Sequence, residues 1–184
     1  MKLILASASP RRRQLLKKIG IPFRVIPSRI PETSKHKNPV RLVQDLALQK
    51  AKAVARGRKD GVILGADTIV VLHREILGKP RDAADAYRML YRLSGSVHHV
   101  YTGVALVEAG TQKSIVSYAK SEVRMKKIPL EKILTLSRKH LDKAGSYAIQ
   151  EKSDPIARVV KGSYDNVVGL PVTLVKELLA FFCP

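Results

Sequence analysis

A long apolar stretch runs from Val62 to Leu72 and contains one charged residue, Asp67. It is too rich in β-branched residues for a helix, because such side chains lose rotamer freedom against the preceding helical turn. A continuous apolar run of this kind is typical of a central strand that is buried on both faces of a sheet. The stretch therefore predicts an interior strand of an α/β protein.

Helix and strand patterns alternate along the rest of the chain. Helices are predicted to begin where a capping residue or Pro precedes an apolar stripe, namely at Ser9 and Pro10, Asn38 and Pro39, Asp82, Pro129 and Pro171. Further strands are predicted at residues 2–6, 22–26, 97–107, 114–125 and 156–160, the third and fourth of these forming an antiparallel pair. With no repeat or linker in 184 residues, we expect a single domain whose mixed, twisted sheet is flanked by helices.

Cysteine content and motif searches exclude several classes of protein. The single Cys, Cys183, excludes an internal disulfide framework and a zinc site built from cysteines, so the expected location is a reducing cytoplasm. The apolar run near the N-terminus is much shorter than the roughly 18 residues of a membrane span, and no membrane segment is expected. The chain has no P-loop, no GxSxG nucleophile motif and no HExxH zinc motif.

Net charge points to an anionic partner. The chain has 34 Lys and Arg against 15 Asp and Glu, a formal charge of +19. Residues 1–60 hold 16 of the cations but only Glu32, Asp45 and Asp60 as acids. Such a field attracts nucleic acid, an anionic membrane surface or free nucleotides alike. A nucleic-acid-binding protein without turnover stays an alternative, although aromatic residues make up only 5% and no nucleic-acid-binding motif is present.

Three arginines, Arg11, Arg12 and Arg13, fall in the first turn of the first predicted helix. The positive end of the helix dipole disfavours cations there, whereas main-chain N–H groups and guanidinium groups together bind an anion. The turn follows a strand, which is where phosphates bind in open α/β sheets. We interpret this segment as an anion site; the alternative is a group of solvated surface arginines.

Asp67 is expensive to bury unless a cation or hydrogen-bond donors meet its carboxylate. We interpret it as a metal ligand or general base that reaches out of the strand where Gly65 loosens it, and the alternative is a structural salt bridge.

Two lysines and one glutamate also stand in unusual places. Lys50 falls on the apolar stripe of its helix, so its ammonium group either extends to solvent or meets an anion. Lys79 lies in a loop from which a lysine can reach a phosphate. Glu32 is an isolated acid in a basic loop: it is a local charge partner or, with Asp67, a ligand for Mg²⁺ or Mn²⁺.

Besides Glu32, eight further motifs occur in order along the chain, at residues 5–12 (LASASPRR), 46–51 (LALQKA), 64–69 (LGADTI), 78–80 (GKP), 89–95 (MLYRLSG), 99–103 (HVYTG), 143–150 (KAGSYAIQ) and 162–171 (GSYDNVVGLP). The resemblance that they carry is to the Maf family of nucleoside triphosphate pyrophosphatases. It implies an elongated α/β fold of two lobes with a central cleft, similar to the inosine triphosphate pyrophosphatases. It also implies metal-dependent hydrolysis of a nucleoside triphosphate to the monophosphate and pyrophosphate.

The same resemblance assigns roles to individual residues. Asp67 would activate water, Glu32 and Asp67 would hold the cation, and Lys50 would join them in catalysis. The triphosphate would be bound by Ser7, Arg11, Arg12 and Lys79. Base specificity would rest on Arg11, Thr68 and Gln150, which resemble the branch that acts on dTTP and UTP. Glu151 stands where the family usually has Gly, so the same chemistry on modified or methylated nucleotides stays an alternative.

Partners beyond the nucleotide are expected only in general terms. The charge allows non-specific contact with nucleic acid. The C-terminal apolar stripe is interpreted as core or as the contact of a homodimer. A regulatory role in cell division has been associated with the family name, but no residue of this chain indicates it.

Overall fold

The computed structural model describes residues 2–150 and 155–182, and these form two compact units. The first unit comprises the residues up to Asp67, Thr102–Ala119 and the residues from Gly169 onward. The second comprises Thr68–Tyr101 and Lys120–Val168. The single-domain organisation expected from the sequence stays a prediction.

Seven strands and six helices are described, together with one short 3₁₀ turn. The strands are β1 (Leu3–Leu5), β2 (Phe23–Val25), β3 (Val62–Leu72), β4 (Glu75–Leu77), β5 (Val97–Glu108), β6 (Ser114–Met125) and β7 (Ala157–Lys161). The helices are α1 (Pro10–Lys17), α2 (Pro39–Ala55), α3 (Ala83–Leu93), α4 (Leu130–Leu136), α5 (Tyr164–Val168) and α6 (Val172–Phe182), and the 3₁₀ turn is Ala144–Ser146.

All seven strands belong to one mixed sheet in the order β2-β1-β3-β5-β6-β7, with β4 paired to β3. Strand β1 is parallel to β2 and β3, whereas β4 is antiparallel to β3 and β7 is antiparallel to β6. The mixed α/β class predicted from the sequence is confirmed. Strand β3 also has the predicted bounds, and ten of its eleven residues are buried.

The two helices that precede β3 begin as their capping residues predict. The Ser9 hydroxyl accepts a hydrogen bond from the Arg12 amide at 3.4 Å, and Pro10 opens α1. The Asn38 side chain accepts from the amides of Val40 and Arg41 at 3.0 and 3.1 Å, and Pro39 opens α2. These caps satisfy main-chain donors that have no partner within the helix, so the starts of both helices are fixed.

Helix α2 lies unusually close to the sheet in the first unit. A Cβ atom on Gly65 of β3 would stand 2.2 Å from the carbonyl oxygen of Ala47, and one on Gly103 of β5 would stand 2.1 Å from that of Val43. Because only glycine leaves room for this approach, the two residues set the depth at which α2 packs. The expectation that Gly65 loosens the strand is wrong, since β3 continues through it without a break.

Each unit has its own hydrophobic core. In the first unit the core includes Ile4, Ala47, Val54, Ile63 and Val107. The C-terminal stripe contributes there to burial as predicted, since Val175, Leu178 and Leu179 of α6 are buried.

In the second unit the core includes Leu72, Leu90, Leu93, Val100 and Met125. None of the helices within residues 2–150 and 155–182 combines the length and the apolar character that crossing a bilayer requires.

Candidate active site

A buried lysine joins two carboxylates in the first unit. The Lys50 Nζ atom lies 2.6 Å from Oδ1 of Asp67 and 2.9 Å from Oε1 of Glu32. The side chains of Lys50 and Asp67 are 7% and 8% exposed, whereas that of Glu32 is 43% exposed. The cluster therefore has a buried pair at its base and one carboxylate that reaches solvent.

The close packing of α2 explains how Lys50 reaches Asp67. Gly65 lies two residues before Asp67 on β3, and α2 lies against it at Ala47 and Ala51. Lys50 stands between these two alanines in the sequence, and its side chain is buried with theirs. Lys50 therefore lies on the side of α2 that faces the sheet. Because α2 packs so closely, the Lys50 side chain meets Asp67 of β3 and does not extend to water.

Burying the charged groups of Lys50 and Asp67 costs free energy unless each charge has a close partner. Removing a charged group from water costs several kcal/mol, and a close counter-charge offsets that cost only when the geometry is good. Lys50 and Asp67 meet this condition at hydrogen-bond distance. The alternative in which the Lys50 ammonium extends to solvent is wrong. Asp67 does form a salt bridge. Its partner is Lys50, for which the sequence predicted either an anion or solvent.

The first turn of α1 brings an arginine to the same unit. The Arg12 Nε–H group donates to the carbonyl oxygen of Gly169 at 2.9 Å. Its Nη1 donates to the Ser7 hydroxyl at 3.5 Å, and that oxygen also accepts the amide of Ser9 at 3.2 Å. Ser7 is buried at 7% exposure. The carbonyl of Gly169 and the buried hydroxyl of Ser7 thus help to fix the orientation of the guanidinium group.

The two carboxylates also influence the charge state of Arg12. Burial lowers the pKa of Arg12, Asp67 and then Glu32 oppose that shift by raising the pKa, and Arg11 lowers it further. Two carboxylates therefore stabilise the charged form of a guanidinium group that burial disfavours. Of the three arginines, Arg11 and Arg12 are half-buried and Arg13 is exposed. The description of the segment as merely solvated surface arginines fits only Arg13.

The other predicted site residues lie in the second unit. Thr68 follows Asp67 on β3 and is half-buried. Lys79 is exposed in the loop after β4, and Gln150 is exposed in a turn that follows Ala144–Ser146. Glu151 lies outside the described residues, as does Cys183. The roles of Thr68, Lys79 and Gln150 stay predictions.

The carboxylates offer a partial donor set for a divalent cation. Within the described part of the chain, no group of three or more His, Cys, Asp and Glu side chains is arranged to hold a metal ion. Glu32 and Asp67 converge on one Nζ atom, so two hard oxygen donors lie close together. Mg²⁺ is commonly held by one or two carboxylates with substrate phosphates as further ligands. The residues present therefore fit a cation that binds together with a phosphate substrate.

Gly169 is a member of the site that the sequence did not single out. Its carbonyl accepts from Arg12 across 157 positions of the chain, and its backbone has φ +122°. The sequence signal was its place in the motif at residues 162–171, which does not show which carbonyl would be used.

Comparison with known proteins identifies the family of the chain. The family described as Maf-like protein matches residues 2–182. The chain belongs to the Maf family. Three curated relatives carry the name dTTP/UTP pyrophosphatase. That of Moorella thermoacetica is 48% identical over 184 residues, covering 98% of this chain and 95% of the relative. That of Elusimicrobium minutum is 42% identical and covers 99% of both chains. That of Bacillus cereus is 46% identical, with 98% of this chain and 95% of the relative covered.

Solved structures share the fold of this Maf-family chain. A nucleoside-triphosphatase (dITP/XTP pyrophosphatase) from Mycobacterium abscessus matches with a TM-score of 0.51 at 17% identity and covers 100% of both chains. The Ham1 protein of Staphylococcus aureus matches with a TM-score of 0.56 at 13% identity, covering 99% of this chain and 100% of the other. The likeness confirms the predicted fold class.

Proposed function

We propose that this chain hydrolyses nucleoside triphosphates, with dTTP and UTP as its preferred substrates, to the nucleoside monophosphate and pyrophosphate. One observation carries the proposal: Lys50 joins Asp67 and Glu32 within a unit that also fixes Arg12 beside Ser7. The names of relatives at 42–48% identity support the substrate class.

The cations of the first helix bind the triphosphate in this proposal. Arg12 presents a guanidinium group whose orientation is set by Gly169 and Ser7. Arg11 adds a second guanidinium one residue earlier, at the positive end of the helix dipole. Guanidinium forks match phosphate oxygens in geometry and in charge. Lys79 is proposed to contribute a further cation to the phosphates.

Asp67 acts as the general base. Its carboxylate accepts a proton from a water molecule as the water oxygen forms a bond to the α-phosphorus. The bond from that phosphorus to the bridging oxygen breaks, and its electron pair leaves with pyrophosphate. Lys50 holds the Asp67 carboxylate in one orientation, which suits a base that must meet water on a fixed line. The arginines neutralise charge that collects on the leaving group.

Glu32 and Asp67 would hold Mg²⁺ or Mn²⁺ together with phosphate oxygens of the substrate. When bound, the cation would supply further neutralisation of phosphate charge.

Base preference is assigned to Thr68, Gln150 and Arg11. The amide of Gln150 has both a donor and an acceptor, which matches the edge of a pyrimidine. Its exposure leaves that amide accessible to a nucleotide. Replacing Gln150 with Ala should lower the preference for dTTP, measured as kcat/KM for dTTP divided by kcat/KM for GTP. The fall in this ratio should be larger than the fall in kcat/KM for GTP itself. An unchanged ratio would show that Gln150 does not contact the base.

The proposal is tested by measuring pyrophosphate and orthophosphate in parallel, with Mg²⁺ or Mn²⁺, for dTTP, UTP, CTP, GTP, ATP, ITP and methylated nucleotides. We expect pyrophosphate without orthophosphate, formed fastest from dTTP and UTP. Asp67→Asn should lower kcat by about 10²–10⁴-fold, the usual contribution of a general base. Preference for a modified purine would retain the chemistry and overturn the base assignment. No turnover of any nucleotide would overturn the proposal.

The homodimer and the cytoplasmic location belong to the same proposal. Sedimentation equilibrium of the purified chain tests the first, and fractionation of cells that express it tests the second.

A further inference from the structure

A second basic surface lies in the second unit, on strands β5, β6 and β7. In β6, Ser121, Val123 and Met125 are buried, so the residues between them point to the opposite face. We define the basic sheet face as this side of the three strands: it carries His99 and Tyr101 from β5, Lys120, Glu122 and Arg124 from β6, and Arg158 and Lys161 from β7. Arg158 and Lys161 share the face because they pair with Arg124 and Glu122 on either side of a register shift in the β6–β7 ladder. The four Lys and Arg side chains are all exposed.

Positive charge is concentrated on this face with little compensation. Arg124 and Arg158 are paired directly across the β6–β7 ladder, and both are exposed. Like charges in that position destabilise a sheet. Among the described residues of the face, Glu122 is the single acid, and its carboxylate lies 3.8 Å from His99. Within residues 2–150 and 155–182, Arg124, Arg158 and Lys161 form no ion pair.

Protection of the sheet edge does not explain this arrangement. Exposed charges on an edge strand prevent pairing with another chain, and β7 ends the strand order. That function requires charges on β7 alone. Lys120 and Arg124 are on β6, which has a neighbour on each side. Their charge therefore has another use, and an anion that contacts Arg124 and Arg158 together removes the repulsion between them.

Aromatic rings accompany the cations. The rings of His99 and Tyr101 lie on the same face with centroids 6.4 Å apart. The Lys120 ammonium lies 5.5 Å from the centroid of the Tyr101 ring. A flexible lysine that moves to a phosphate gives up its contact with the ring, and a base takes that contact by stacking. Cations that follow a phosphate backbone, combined with rings on which bases stack, are what single-stranded nucleic acids require.

We propose that the basic sheet face binds single-stranded nucleic acid. Unpaired bases are needed for stacking, so a duplex offers only its phosphates to this face. A lipid surface offers anionic groups but no planar rings. The site consists entirely of residues of the second unit that the pyrophosphatase proposal does not use.

The test is a fluorescence anisotropy titration of the full chain with a labelled oligodeoxyadenylate of about 20 nucleotides, repeated from about 50 to 200 mM salt. Arg124→Gln with Arg158→Gln should weaken binding about tenfold and make the slope of log K against log salt shallower by about 1.4, at about 0.7 for each phosphate contact. The matched control, Arg56→Gln with Arg138→Gln, removes the same charge from exposed positions elsewhere and should change affinity less than about twofold. Tyr101→Leu should weaken binding about tenfold without changing the slope.

Pyrophosphate release should be unaltered in each variant, which separates this proposal from the pyrophosphatase assignment. The melting temperature of the Arg124→Gln, Arg158→Gln variant should not fall, because the change removes the repulsion between the paired arginines. If the first pair fails to fold, Lys120→Gln with Lys161→Gln removes the same charge from the same face and replaces it in the test. Equal losses in the control pair would overturn the proposal, because general charge would then explain binding. Equal affinity for a duplex, or binding only to vesicles of anionic lipid, would also overturn it.

Discussion

At the scale of single residues, Lys50 joins the two carboxylates of the candidate site. One ammonium group lies within 3 Å of two carboxylates, and two of the three side chains are buried. Without it, Asp67 would be a carboxylate enclosed by strand β3 and helix α2. Stability and catalysis therefore depend on the same contact.

Replacing Lys50 with Ala should lower the free energy of unfolding by about 3 kcal/mol, because it leaves a buried charge without its partner. It should also abolish pyrophosphate release, since the Asp67 carboxylate loses its fixed orientation. The measurement is urea unfolding, followed by circular dichroism, alongside the activity assay.

Lys52→Ala is the matched control, since Lys52 is exposed on the same helix. It should change stability by less than about 0.5 kcal/mol. Equal stability of the Lys50 and Lys52 variants would show that the buried pair contributes no net stabilisation.

His98 makes stability depend on pH. It is fully buried in the second unit, and its Nε2 atom lies 2.7 Å from the Tyr147 hydroxyl. Its Nδ1 atom has no hydrogen-bond partner among the described residues, so protonation would bury a charge and an unsatisfied donor. Burial, assisted by His99, lowers the pKa of His98 to about 4.

Because the unfolded chain protonates near the ordinary pKa of 6.5, it binds more protons than the folded chain between pH 6.5 and 4. Stability should therefore be intact above pH 6.5 and fall with decreasing pH, by about 2 kcal/mol between pH 7 and pH 5 from this group. Urea unfolding at the two pH values measures the difference. His98→Gln should show a smaller difference; an identical one would assign the effect to other groups.

At the scale of elements, the site depends on how deeply α2 packs on β3 and β5. Gly65 and Gly103 contact main-chain atoms of the helix at positions one turn apart, Ala47 and Val43. Their small size sets the distance from which Lys50 reaches Asp67. The chemistry of one residue is thus fixed by glycines on two other elements.

Gly65→Ala should destabilise the chain by about 2 kcal/mol or more, because its Cβ would stand 2.2 Å from a carbonyl oxygen that belongs to a rigid helix. The displacement of α2 should lower kcat as well, by moving Lys50. Gly78→Ala is the control for stability: it has nothing within 4 Å and no positive φ, so the expected change is below about 0.5 kcal/mol. Thermal unfolding of both variants gives the comparison, and wild-type stability of Gly65→Ala would contradict the packing argument.

The elements that the sequence predicted are those with strong local signals. Pro and capping residues marked the starts of α1 and α2, and the apolar run marked β3. Strand β4 was missed because it has three residues and follows a turn at His73 and Arg74, both with positive φ. His and Arg do not predict a turn of this kind, which usually contains Gly, Asn or Asp.

The site was predictable as a set of unusual residues but not as a set of contacts. Asp67 and Lys50 each needed an opposite charge, and the sequence did not show that they satisfy each other. Their pairing depends on the depth of α2, and that depth depends on Gly65, whose role was wrongly assigned. The carbonyl of Gly169 was not predictable, because every residue has a carbonyl and only tertiary packing selects one.

At the scale of the whole molecule, the charge of +19 exceeds what one bound triphosphate neutralises. The proposed binding of the triphosphate uses part of it, through Arg11, Arg12 and Lys79. The basic sheet face accounts for a further part in the second unit. The remaining excess should accelerate the arrival of any anionic substrate, and this effect should weaken as salt increases.

The central claim is that a water molecule activated at Asp67 attacks the α-phosphorus. The most direct test is hydrolysis of dTTP in water enriched in ¹⁸O, after which the two products are separated and their masses are measured by mass spectrometry. We predict that the label enters thymidine monophosphate and that pyrophosphate stays unlabelled. Label in pyrophosphate would place the attack at the β-phosphorus and contradict the account.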